Sequence, residues 1–571
     1  MSSRAPLLLL ASLAPAFATA QDFTALRYNQ LGYYPGDSAR VVVPFTGDLA
    51  FPGLVYRADG SEVEVPYRTK VWQEAAAQNA HVRTLPPQPA GTCLKVGGPK
   101  GYDGVAVCWK DDPYARVLPA ALKSYTYQRA GVPVDVSWGG KWARPAGHPD
   151  TAVRFYRTAG RDTAITYASP GGWYDAGDYG KYVVNAGFSV GLLLQLAEQY
   201  PGVLADGTLG SSESESSNGR SDLLDELKYE LDWMLTMQDP ADGGVHHKLT
   251  TLDFQPMDMP HEMTAQRYIM AKSTTATLDF AASLAHASRV FAKARERAYA
   301  KTLLEAAERA YDWAQKHPDT AFENPADVRT GEYGDDSATE EWLWARTELF
   351  LTTGSREYEP DVYAVVNGLD FVAGENWTTQ MRNLAAYSLL TSDRDRGTSY
   401  GGPLRSRVVA LADSLLDVAS DNAYFQPIND WYWGSTSDVL GAAMLAAQAY
   451  RATGEDKYLT AVKRWTDWVF GANATGYSFV TGFGAKTPVH IHHRPSEADG
   501  VAEPVPGFVV GGPNTYQQDT GNGAEYPYPP GVHPQTSYTD QVGSFASNEV
   551  CLNWNAPLMY VLGFLRAEVV R

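Results

Sequence analysis

What most limits the folds open to this chain is a change of texture near residue 114. Beyond it, apolar residues recur at helical spacing in 182–200, 222–237, 274–291, 297–315, 341–351, 404–416, 439–450 and 458–470. Ser221 stands where an N-cap belongs, and Gly354 and Gly454 sit just past two helix ends. About a dozen helices with no short repeat predict a closed helical toroid rather than a solenoid. The loops between them are long and rich in Gly, Pro and aromatics, above all 472–548. Loops of that length in a compact domain usually carry function.

Residues 21–113 read differently. Short β-branched runs at 40–43, 54–56 and 104–108, parted by Gly, Pro and Asp turns, predict a small β-sandwich. Cys93 and Cys108 flank a Gly-rich turn at 97–101, where a disulfide and two free thiols are both open. The third cysteine, Cys551, lies between Val550 and Leu552 and is expected to be a buried thiol. The first twenty residues read as a secretory signal: Arg4, an apolar run from Leu7 to Leu13, and Ala18-Thr19-Ala20 before a cut at Gln21. No later stretch is long and apolar enough for a membrane span.

Charge narrows the partners. With 47 Lys+Arg against 66 Asp+Glu the net charge is −19, so no basic stripe is available for nucleic acid or an anionic membrane. The 15 Trp and 34 Tyr exceed what a core alone uses, and flat aromatic faces in a groove suit sugar rings.

Three clusters carry chemistry. In Gly171-Gly172-Trp173-Tyr174-Asp175-Ala176-Gly177-Asp178, two carboxylates three apart can hold and polarise one water; equally, Asp178 can simply cap the next helix. Near the C-terminus Glu549 is the one acid in an apolar and amide-bearing segment, which favours its protonated form; a surface Glu in the first turn of the last helix is the other reading. His490, His492 and His493 suggest zinc, but no thiol or carboxylate stands at ligand spacing and Arg494 repels a cation. Hydrogen bonding to a polar substrate is preferred there.

The chain resembles glycoside hydrolase family 9, the inverting β-1,4-glucanases, across essentially its mature length. The 172–178 block looks like the family's paired-aspartate motif, Ser478 to His492-His493-Arg494 is similar to its His-x-Arg signature, and Tyr538, Asp540, Phe545, Glu549 and Asn555-Ala556 to its acid signature. Blocks at 243–248, 272–277 and 433–435 agree. The resemblance implies a mainly α fold: an (α/α)6 barrel over 114–571 after an immunoglobulin-like sandwich over 21–113. It implies Asp178 as general base, Asp175 as holder of the nucleophilic water and Glu549 as general acid. His492, Arg494, Asp540, Trp433 and Tyr538 would bind the sugar. Inversion needs acid and base carboxyls roughly 6.5–9.5 Å apart.

No cofactor is expected for the chemistry. Many relatives with the sandwich carry a Cys/His zinc cluster, but here 128–131 and 144–148 offer a single histidine, so no zinc site is expected. Asp335 and Asp336 followed by Glu340 and Glu341 resemble a family calcium loop, with a solvated acidic face as the competing reading. No carbohydrate-binding module follows Arg571, which points away from insoluble cellulose. The expected activity is that of an exported endoglucanase on a β-1,4-linked glucan. An exo-acting cellodextrinase or exo-β-D-glucosaminidase stands as alternative, with 497–536 and its Tyr516, Tyr526 and Tyr528 as a candidate cleft closure. A non-catalytic carbohydrate binder is the distant one. Oligomeric state is left open.

Overall fold

The computed structural model describes residues 26–45, 54–58, 61–65, 67–97, 104–209, 215–374, 380–392, 401–520, 528–529, 531 and 533–570. The signal segment and Tyr526 lie outside the described residues.

The N-terminal part is a sandwich of two antiparallel sheets. One runs β1 (Ala39–Phe45), β5 (Gln78–Leu85), β4 (Tyr67–Gln73); the other β3 (Ser61–Glu64), β2 (Val55–Ala58), β6 (Cys93–Gly97), β7 (Val105–Cys108). Alternation along β1 gives it two duties. Ala39, Val41 and Val43 join Leu85, Leu94, Val96 and Val107 between the sheets, while Val42 turns with Ala80 and Val82 into the core of the helical domain. Cys93 and Cys108 face each other across β6 and β7 and are disulfide-bonded.

Among the described residues, twelve helices of seven residues or more build the rest. They are α1 (Val117–Gln128), α2 (Val183–Gln199), α3 (Asp222–Met237), α4 (Thr274–Lys293), α5 (Arg297–Lys316), α6 (Thr339–Thr353), α7 (Val362–Gly368), α8 (Met381–Thr391), α9 (Gly401–Ser420), α10 (Ser435–Thr453), α11 (Asp456–Val469) and α12 (Leu552–Val569). The even-numbered helices form an inner ring: α12 packs on α2, α2 on α4, α4 on α6, α6 on α8, and α10 on α12. Asn383 and Tyr387 of α8 approach Ser437 and Met444 of α10 to close it. Sequence explains the two rings. In α4 nearly every side chain from Thr274 to Phe291 is buried, whereas α5 buries one face, Ala300, Leu303, Ala306, Ala307, Ala310, Tyr311, Trp313 and Ala314. The architecture is an (α/α)6 barrel.

The expected caps form: Ser221 Oγ accepts from Leu224 N at 3.3 Å, and Gly354 and Gly454 end α6 and α10 in left-handed conformation. At the mouth lies a small sheet of β8 (Val153–Phe155), β9 (Thr166–Tyr167), β10 (Lys181–Tyr182), β11 (Lys248–Thr250) and β12 (Tyr268–Ile269), ordered β10-β11-β12-β8-β9. Because β10 runs directly into α2, the paired-aspartate loop is fixed at that end of the ring. No described helix is long and apolar enough to cross a membrane.

Candidate active site

The 175–178 loop is built by backbone geometry before any side chain acts. Asp175 N–H donates to Gly180 O at 3.0 Å, and Leu552 N–H at the start of α12 donates to Asp175 O at 3.0 Å. Gly177 lies so close to the 492–494 segment that a Cβ there would meet His492 O at 2.1 Å, which excludes any larger residue. On the far side, His492 bridges the backbone of Glu549, and Val510 that of Val550. These pairings draw together three segments that are remote in sequence.

The result is a cleft of about 340 Å³ lined by Asp175, Asp178 and Glu549 together with Tyr182, Phe254, Tyr333, Tyr432, Trp433 and Trp554. Asp175 is fully enclosed: Asn185 Nδ2 donates to its Oδ1 at 2.7 Å and Tyr333 OH to its Oδ2 at 2.6 Å. Burial, and next the charge of Asp178, push its pKa up to about 7. Asp178 Oδ2 accepts from Gly180 N and Tyr182 OH, each at 3.0 Å. It does not cap α2, whose N-cap is Tyr182. Burial first, then Asp178 and Asp175, hold the Glu549 carboxyl well above the usual range, against the opposing pull of Arg494 and the Gly177 N–H. Nor is Glu549 in a helical first turn, since it lies in extended backbone before Leu552. Asp175 and Glu549 thus keep protons that isolated carboxyls release.

The other expected residues divide. Trp433 lines the cleft, its ring 5.3 Å from that of Phe545. Arg494 lies behind the wall, with Nη1 donating to Gly177 O at 2.6 Å, Nε to Gln255 O at 2.7 Å, and the guanidinium 5.6 Å from the Phe254 ring. His492 Nδ1 bonds Val542 O at 2.7 Å, which makes Nδ1 the donor and leaves Nε2 as an acceptor; burial lowers its pKa to about 4. His493 is buried between Ser496 and Gln128, at 2.9 and 3.0 Å, and held neutral. Asp540 and Tyr538 differ from the expectation that they face the sugar, for neither lines the cleft. Asp540 accepts from Val489 N, His490 N and Asn548 Nδ2, and Tyr538 is buried with its hydroxyl on Asn548 Oδ1. Both brace the segment that carries Glu549.

Sequence reasoning missed Tyr333 and Asn185, the two groups that hold Asp175. Tyr333 sits between Glu332 and Gly334 and has a left-handed φ of 52°, a strain that sequence does not reveal. Cys551 is the free, buried thiol expected, and it too lines the cleft, 3.3 Å from Asn185 Nδ2.

The acids of the expected calcium loop do not gather. Asp336 is exposed, Asp335 caps Ser337 N at 3.0 Å, and Glu340 approaches Arg382 at 3.5 Å. Only Glu341 is fully buried, its two carboxylate oxygens without hydrogen-bond partner, near the equally unpartnered Asp279 of α4. Among the described residues no group of three or more His, Cys, Asp or Glu side chains is placed to hold a metal ion.

A helical barrel whose cleft combines aromatic walls with a carboxyl held protonated and a second carboxyl kept in place by two hydrogen bonds is the apparatus of a glycoside hydrolase. Comparison with known proteins carries this further. The profile of "Glycosyl hydrolase family 9" matches residues 114–562. A xyloglucan-specific endo-β-1,4-glucanase of Bacteroides ovatus is 37% identical over 571 residues, covering 96% of this chain and 94% of its own. A cellulose 1,4-β-cellobiosidase of Acetivibrio thermocellus is 32% identical, over 80% of this chain and 56% of its own. A solved Bacteroides ovatus family 9 structure superposes with a TM-score of 0.84 at 34% identity, covering 95% and 99% of the two chains. The chain belongs to glycosyl hydrolase family 9. Glycosidases of this family need no cofactor for their chemistry.

Proposed function

We propose that the protein is an inverting endo-β-1,4-glucanase. The observation that carries this reading is that Asp178 and Glu549 line one aromatic-walled cleft while their environments hold protons on one and hydrogen-bond donors on the other. Glu549, protonated, gives its proton to the glycosidic oxygen. Asp178 takes a proton from the water that attacks the anomeric carbon from the opposite face, and Asp175 helps hold that water. Each Asp178 hydrogen bond falls on Oδ2, which leaves Oδ1 for the water. Trp433 and Trp554 supply the faces on which pyranose rings stack. Arg494, through Gly177 O, and His492, through Val542 O, hold the loops behind the cleft.

Endo action is supported by the likeness to the Bacteroides ovatus endoglucanase along nearly the full length of both chains. An early product time course from cellohexaose tests it. A spread of internal cuts is expected, and a single short product from one chain end overturns endo action in favour of the exo reading. Xyloglucan run in parallel tells a substituted from a plain glucan backbone. Export by the 1–20 segment and an immunoglobulin-like identity for the 21–113 sandwich belong to the same proposal. So does a structural Ca²⁺ at the 335–341 segment, for which the support is that both carboxylate oxygens of buried Glu341 lack a hydrogen-bond partner. No step of the chemistry passes through it. A rise in Tm with added CaCl2, reversed by chelator, is the expected result.

A further inference from the structure

Lys248 opens β11 and is wholly buried. Its ammonium donates to Gly331 O at 2.5 Å, Asn324 Oδ1 at 2.7 Å and Thr330 Oγ1 at 3.3 Å, so all three of its protons go to the segment that leads to Tyr333. No carboxylate among the described residues forms an ion pair with it; the negative charges that bear on it are Asp178 and, less, Glu332. A buried cation without a paired anion is costly, and burial lowers its pKa to about 7.

What sits above the ammonium accounts for that cost. The Tyr182 ring centre is 5.5 Å from Nζ, and Tyr182 OH donates to Asp178 Oδ2 at 3.0 Å. The Tyr333 ring packs on Tyr182 with centroids 4.8 Å apart, and Tyr333 OH donates to Asp175 Oδ2 at 2.6 Å. The two aspartates are thus held by two tyrosines that lean on each other. Tyr333 keeps its left-handed backbone, φ 52°, only while the neighbouring residues are pinned. The pin at Gly331 and Thr330 is Lys248.

We propose that Lys248 is a positioning residue for hydrolysis: its ammonium fixes the 330–333 loop so that Tyr333 and Tyr182 hold Asp175 and Asp178 in one geometry. This rests on the roles of Asp175 and Asp178 given above. A neutral side chain of equal length fills the space but donates nothing to the three oxygens that converge there.

The test is a double-mutant cycle of Lys248→Met and Tyr333→Phe on a soluble β-1,4-glucan, each variant checked for a cooperative melt. If the lysine acts through Tyr333, each single variant loses roughly tenfold or more in kcat with little change in KM, and the double variant loses no more than the worse single. Should Lys248→Met fail to fold, Asn324→Leu combined with Thr330→Val, which strips two of the ammonium's acceptors, replaces it in the cycle with the same expectations. Losses that multiply, or an unchanged kcat, overturn the proposal. Asp178→Asn, measured alongside, separates the two levels. If it stays active, the base assignment falls and this proposal with it; if it is inactive while the losses multiply, only the role of Lys248 falls.

Discussion

Tyr333 donates its hydroxyl proton to Asp175 Oδ2 at 2.6 Å across 158 positions of sequence. With Asn185 on the other oxygen, both lone-pair faces of Asp175 are committed to the protein, whereas Asp178 keeps an oxygen clear. The two aspartates of one motif are therefore not equivalent. On the proposed reading, Asp178 has an oxygen free to take a proton from the water that Asp175 helps to hold.

Glu549→Gln keeps the size of the side chain and removes the acidic proton. Turnover is expected to fall by about 10²–10⁴-fold, the usual range for a general acid. Binding of a cello-oligosaccharide, read by calorimetry, should stay within a few-fold of the parent. Unchanged turnover would remove Glu549 from the mechanism.

Arg494 opposes the rise of the Glu549 pKa. Arg494→Met takes that cation away, so Glu549 should hold its proton to higher pH and the alkaline limb of the kcat/KM profile should move upward. A downward shift would show that the limb belongs to another group.

Trp433 presents its ring in the cleft, packed on Phe545. Trp433→Ala is expected to cost about 1 kcal/mol of sugar stacking. That reads as a several-fold rise in KM on soluble glucan with a smaller change in kcat.

Stability carries its own pH signature. Asp438 is buried, with Oδ2 accepting from Gly374 N at 3.0 Å and Oδ1 unpartnered, and burial raises its pKa to about 8. A carboxyl whose folded pKa exceeds its unfolded value binds more protons when folded, so its contribution is full below about pH 4 and is lost as pH rises toward 8. Asp467, buried against Asn29 and raised to about 7, acts in the same direction. Between pH 5 and 8 the Tm of Asp438→Asn should therefore change with a less negative slope than that of the parent. An unaltered slope would contradict the raised pKa of Asp438.

Much of this was legible before the fold was known, for identifiable reasons. The paired aspartates and their glycines are contiguous, and the outer helices α3, α5, α9 and α11 each set an apolar stripe against a polar face. α12 was not delimited in advance, because it is buried nearly all round and contains Pro557, so no polar face marks its period. Tyr333, Asn185 and Lys248 owe their roles to contacts between remote loops, and nothing adjacent in sequence announces them. Asp540 and Tyr538 were expected in the cleft by resemblance. In the fold their polar atoms are taken up by the backbone at 489–490 and by Asn548, one layer behind it.

The most direct test of the account is the configuration of newly formed product, followed by proton NMR in the first minutes of hydrolysis of a β-1,4-glucan. With Asp178 activating a water opposite Glu549, the α-anomer should appear first and the β-anomer only as mutarotation proceeds. If the β-anomer appears first, configuration is retained, and the assignment of Asp178 as a base acting on water is wrong.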